Sequence, residues 1–376
     1  MKKSKNDIKK YDAAMRVDAV KETGIEWHSP KSAPIRLAGM AWFAQDGLYR
    51  RMPSRPKHPL PEGVNSLANH TAGVQAQFRT DSKRVIVKVK LAGPANMYHM
   101  PATGQCGFDC YVGTEGASPR YAKTIRYDHT LHAYESALFE MESSEMRNVI
   151  VNFPLYQGVE ELSIGLDRGA QLLAPPPYAT PGRVVCYGTS ITHGGCASRP
   201  GMAYTNILSR RLDMEFINLG FSGSGRGEPE VAKTIAEIRN VACIVLDYEA
   251  NSPSLESLMK TLPEFIRILR RSHRATPILV LSRPLFAADL FSATSRKSLD
   301  ERREFQRGTV AQLRKRGDRR IFFMDGADLM GEDFEECTVD GVHPTDLGFM
   351  RMANALTPVL KKILRRGAAL RGTRRK

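Results

Sequence analysis

"RVVCYGTSITHGG", residues 183–195, starts as a run of β-branched apolar residues and ends in glycines, with Ser190 between them. Such a run predicts a buried strand that breaks into a turn. A serine at a strand end ordinarily bonds its own backbone, so this stretch alone does not make Ser190 reactive. The rest of the chain repeats the pattern. Helical runs ("AYTNILSRRL", "PEVAKTIAEIRN", "SLESLMKTLPEFIRILRRS") alternate with apolar ones ("EFINL", "ACIVLD", "PILVLS", "RIFFMD"), and "DLGFMRMANALTPVLKKIL" closes the series. The alternation predicts a parallel sheet covered on both faces. Ligands of such sheets bind beyond the carboxyl ends of the strands.

Residues 24–173 show another pattern. "RVIVKVKLAG" alternates apolar and polar, and "NVIVNFPL" and "ELSIGLD" are further short β-rich runs set between Gly, Pro and Asn. They predict an all-β sandwich of jelly-roll type. "APPPYATPG", residues 174–182, is a stiff connector that neither a helix nor a central strand tolerates. The expected organisation is a basic segment at 1–23, a β-sandwich at 24–173, the connector at 174–182, an α/β domain at 183–366 and a basic tail at 367–376.

The formal charge of +15 is concentrated at the two ends. Between them acids and bases are interspersed, and no zinc finger, RNP-type aromatic stripe or basic heptad accompanies the charge, so specific nucleic-acid recognition is not expected. No apolar stretch is long enough to span a membrane. In "MKKSKNDIKKYDAAMRVDAV" charges continue where a signal peptide has its apolar core, so the expected location is the cytoplasm. Six cysteines are too sparse for a disulfide scaffold, and Cys186 and Cys243 lie inside apolar runs as buried thiols do. No second pair of Cys or His residues offers finger-like spacing, so no metal is expected. Nor is a dinucleotide cofactor. Counted from Gly223, the G-x-G-x-x-G spacing meets Gly225 and then Glu228, and no G-K-[ST] cradles a phosphate.

What the strand ends do carry suits acyl transfer. Ser190 comes directly after the first strand. "NLGFSGSGRG" after the second has glycines able to expose backbone N–H groups to an oxyanion. "LDYEANS" after the third offers the amide of Asn251, and "DGVHPTDLG" near the end sets Asp340 three residues before His343. A carboxylate that close can hold one imidazole nitrogen while the other faces a substrate.

These residues resemble those of the SGNH, or GDSL-type, hydrolases. "GTSITHG", "NLGFSG", "DYEAN" and "DGVHP" stand in order where that family has its four named residues. The resemblance implies a flavodoxin-like three-layer α/β/α fold, with Ser190 as nucleophile, His343 as base and Asp340 completing the triad. It also implies an oxyanion hole formed by Ser190, Gly223 and Asn251. "GFDCY", residues 107–111, resembles the G-x-D-L-Y motif of an accessory domain in one branch of the family. Two motifs depart from the pattern: Thr189 replaces the usual Asp, and the G-x-N-D block reads Glu249-Ala250-Asn251-Ser252. Both bear on the shape of the acyl pocket.

The expected activity is hydrolysis of short-chain carboxylic esters without a cofactor. By family analogy, these are O-acetyl groups on a carbohydrate or small metabolite. Asp109 and Tyr111 in "GQCGFDCYVG" are candidates to face the sugar. The competing reading is a non-catalytic carbohydrate- or polyanion-binding protein on the same scaffold.

Overall fold

The computed structural model describes residues 8–372, apart from 18, 19, 21, 22 and 115. Much of the basic N-terminal segment and the end of the basic tail therefore lie outside the described residues. Five strands form a wholly parallel sheet in the C-terminal half: Arg183–Gly188, Glu215–Gly220, Val241–Asp247, Ile278–Leu281 and Ile321–Met324. Numbered along the chain, their spatial order is 2-1-3-4-5, the flavodoxin-like arrangement expected. The order reverses at the first strand, so the crevice falls at its carboxyl end, where Ser190 stands.

Period-two geometry explains why that strand is apolar throughout. Val184 and Cys186 face one core, with the helix Tyr204–Leu212 and the long last helix. Val185 and Tyr187 face the other, with the helices Pro229–Ile235 and Leu255–Ser272. The latter helix turns Leu258, Leu262, Phe265 and Leu269 onto the sheet, and Ser254 caps its start by accepting from the N–H of Ser257. Each buried Val, Leu or Ile in these layers contributes roughly 1.5–3 kcal/mol relative to exposure. The last helix, Asp346–Gly372, continues into the segment expected to be a tail. The helix Ala293–Lys315 has no counterpart among the expected elements.

The N-terminal half is a sandwich of two antiparallel sheets. One has four strands, led by Ile25–His28, and the other has six, including Gln75–Thr80, Asp109–Gly113 and Arg147–Asn152. Phe78, Val87, Phe108, Val151 and Ile164 fill the space between them.

The two halves are pinned to each other. Arg51, fully buried, donates to the carbonyls of Asn218 and Gly220 at the end of the second parallel strand, and to those of Leu67 and His70 in its own half. Burial pushes its guanidinium down to about 9. The connector is tied on both sides: Tyr178 accepts from Gln77 and lies beneath the Arg36 guanidinium, while the Ala179 N–H donates to Asp213. Among the described residues, no helix is long and apolar enough to cross a membrane, and all six cysteines are buried and unpaired.

Candidate active site

Ser190 is the first residue of a single helical turn, Ser190–His193, entered directly from the first parallel strand. Thr189, at the position of the usual Asp, caps that turn by accepting from the N–H of Ile191 at 3.2 Å. As a first helical residue, Ser190 has no carbonyl one turn back for its own N–H. Gly188 must be glycine because a Cβ there would collide with Thr192.

The segment bearing Asp340 and His343 turns back on itself through Gly341, whose φ is +84°. Asp340 Oδ1 accepts from the backbone N–H groups of Val342 and His343, at 3.0 and 2.8 Å. Asp340 Oδ2 lies 2.7 Å from His343 Nδ1, and His343 Nε2 lies 2.9 Å from Ser190 Oγ. With the Nδ1 proton directed at the carboxylate, Nε2 is left to accept the serine hydroxyl. Burial works against the Asp340 charge, but the N–H bonds from His343 and Val342 outweigh it and hold the carboxyl below its ordinary range.

Gly223 and Asn251 reach the same place from neighbouring strand ends. Gly223 sits at φ +65°, a left-handed conformation that favours glycine, and its α-carbon faces open space. Asn251 belongs to the short turn Glu249–Asn251 and donates one amide hydrogen to the carbonyl of Phe221 at 3.2 Å. Glu249, in the altered block, points into the protein and accepts from Arg283 and Gln306.

Ser190, Gly223, Asn251 and His343 line one cavity of about 430 Å³. Its remaining wall includes Met97, His99 and Tyr156 from the β-rich half. None of these three was expected at the site. They sit in loops without periodicity, so nothing in the sequence singles them out. Asp109 and Tyr111 are placed elsewhere. Asp109 is wholly buried and accepts from Asn152, Arg199 and the Gly201 N–H, while Tyr111 accepts from Arg199 and packs under Arg210. A buried carboxylate requires such partners. Asp109 thereby holds the loop after Ser190, which Asp346 grips from the other side through Ser198. A second cavity, of about 310 Å³ beside Gln77, Tyr178 and Arg210, is lined by none of Ser190, Asp340 and His343.

His193, close to Ser190 in sequence, is structural. Its ring stacks on Tyr156 at 4.2 Å, Nε2 meets the carbonyl of Leu155, and burial and then Arg51 hold it far below its ordinary range. Cys196 lies near Asp340 and His343, its thiol pushed up to about 12 by burial and by Asp340. Among the described residues, His99, Cys196 and His343 form the one group placed to hold a metal ion.

Beneath Ser190, Asp247 accepts from Thr192 Oγ1 at 2.8 Å and Tyr204 OH at 2.9 Å, and burial raises its carboxyl from 3.8 to about 7. The folded protein thus keeps a proton that the unfolded chain releases. The stability from this group is complete below the ordinary carboxylate range and is lost as pH rises through about 7. Asp247→Asn should remove the slope. Its melting temperature relative to the parent should move in the variant's favour from about pH 5 to about pH 8. A difference that stays flat, or moves the other way, would contradict the assignment.

Residues 182–361 match the model of the GDSL-like lipase/acylhydrolase family, and residues 25–172 match the GxDLY model, the N-terminus of an SGNH hydrolase-type esterase. No curated protein matches the chain. Among solved structures, a GDSL-like lipase from Bacteroides ovatus is 29% identical, with a TM-score of 0.81 over 91% of this chain and 98% of that one. A salicylyl-acyltransferase from a tetracycline biosynthetic pathway is 21% identical, with a TM-score of 0.70 over 94% and 99%. A family two carbohydrate esterase from Cellvibrio japonicus is 15% identical, with a TM-score of 0.58 over 90% and 98%. The last two likenesses are of fold. With both halves matched, the chain belongs to the SGNH, or GDSL-type, family of carboxylic ester hydrolases, in the branch that carries an N-terminal GxDLY β-sandwich.

Proposed function

We propose that this protein hydrolyses short-chain carboxylic esters, O-acetyl groups on a carbohydrate or small metabolite, through Ser190, His343 and Asp340. The observation that carries this reading is the unbroken relay of 2.9 Å from Ser190 Oγ to His343 Nε2 and 2.7 Å from His343 Nδ1 to Asp340. Ser190 Oγ attacks the ester carbonyl as His343 takes its proton. Asp340 orients the ring and stabilises the imidazolium, which then protonates the departing alcohol. The N–H groups of Ser190 and Gly223 and the free amide hydrogen of Asn251 receive the oxyanion, each such donor contributing about 3–4 kcal/mol in comparable sites. Water, activated by the same histidine, releases the acid. The solved carbohydrate esterases of the same fold support a sugar as the alcohol.

A series of p-nitrophenyl esters, extended by acetylated sugars, tests this reading. The expected result is the highest kcat/KM for acetate, falling as the acyl chain lengthens, with turnover of at least one acetylated sugar. A maximum at long acyl chains would overturn the short-chain assignment. Saturable sugar binding with no hydrolysis of any ester would favour the binding-only reading.

A further inference from the structure

His99, Cys196 and His343 come from three separate segments, yet one ligand atom of each lies within 4.8 Å of the others. The fold leaves two features of this cluster unexplained. Nδ1 of His99 is buried without a hydrogen-bond partner. Cys196, in the loop after the nucleophile, is held at φ +76°, a conformation uncommon for any residue but glycine. The His99 ring stands edge-on to that of His343 at 5.6 Å, and both rings face the open cavity, through which an ion can enter.

We propose that these three side chains bind a borderline-soft divalent cation, zinc being the best fit, and that its binding reversibly silences the triad. Two imidazoles and a thiolate with a fourth position left for water are a zinc donor set, whereas magnesium and calcium require oxygen ligands. Bonds of about 2.0–2.3 Å require the ligand atoms to draw together by roughly an ångström. Nδ1 of His343 is committed to Asp340, so the metal takes Nε2, the atom that accepts the Ser190 hydroxyl. Asp340 then stands behind a metal-bound histidine and increases its basicity. Cys196 binds as the thiolate and its proton leaves to solvent, with no change of oxidation state. The silencing rests on the reading of His343 as the base, but the binding does not.

The test uses the full chain, stripped of metal with EDTA and titrated with cobalt(II) as a spectroscopic probe. A thiolate-to-cobalt charge-transfer band should appear in the near ultraviolet, vanish in Cys196→Ser and weaken in His99→Ala, with each variant's fold checked by its melting temperature. In parallel, zinc chloride should inhibit p-nitrophenyl acetate hydrolysis, EDTA should restore it, and magnesium chloride should leave it unchanged. Measured against each variant's own metal-free rate, Cys196→Ser should raise the inhibiting zinc concentration by at least about tenfold, the loss that an outer-shell partner alone can cause. Absence of the band, or a band that survives Cys196→Ser, overturns the site. A cysteine-dependent band without inhibition leaves the site standing and overturns the silencing, together with the role of His343.

Discussion

Ser190→Ala should lower kcat for ester hydrolysis by about 10⁶, the loss measured when the serine of a comparable triad is removed. Fold stability should change little. The helical turn that begins at Ser190 is capped by Thr189 and closed by the Gly194 and Gly195 N–H groups on the Ser190 carbonyl, and alanine keeps all of these backbone bonds. The one side-chain bond lost is that to His343. The two readouts must therefore part: activity falls to the level supported by binding and the oxyanion donors alone, while the melting temperature stays within a few degrees of the parent. A variant that keeps more than about a hundredth of the parent rate would show that another group carries the acyl chain.

His343→Ala should cost about as much, because serine and histidine act as a unit and losing either disables both. Asp340, held below the ordinary carboxylate range by the N–H groups around it, stays charged behind the imidazole. A His343→Ala variant whose kcat stays near the parent's would contradict a histidine base.

How legible the site was depends on which half supplied the residue. The strands of the parallel sheet are buried on both faces, so Arg183–Gly188 and Val241–Asp247 appear in sequence as continuous apolar runs. Because ligands of such a sheet bind at the carboxyl ends of its strands, the residues just beyond each run become the candidates. Asp340 and His343 were legible as a pair because the contact between them is local. The helix Ala293–Lys315 was not, since it fully buries only Leu299, Gln306 and Val310, adds Phe305 and Leu313 half-buried, and is mostly polar and charged elsewhere. The antiparallel half offers no comparable rule. Met97, His99 and Tyr156 reach the cavity from loops whose course depends on packing between the halves.

Asp109 shows a different limit. A polar motif among glycines reads equally well as a ligand contact or as half of a buried ion pair. The partner that decides between them, Arg199, lies 90 residues away. The His99, Cys196 and His343 cluster is similar: its members are dispersed along the chain, and no finger-like spacing announces it.

The proposed nucleophile, Ser190 activated by His343 and Asp340, is tested most directly by peptide mass spectrometry of the active protein after reaction with a fluorophosphonate. A single phosphonyl adduct is expected, on Ser190, and its appearance should keep pace with the loss of esterase activity. An adduct on Ser222 or any other residue, or complete inactivation with Ser190 unmodified, would contradict it.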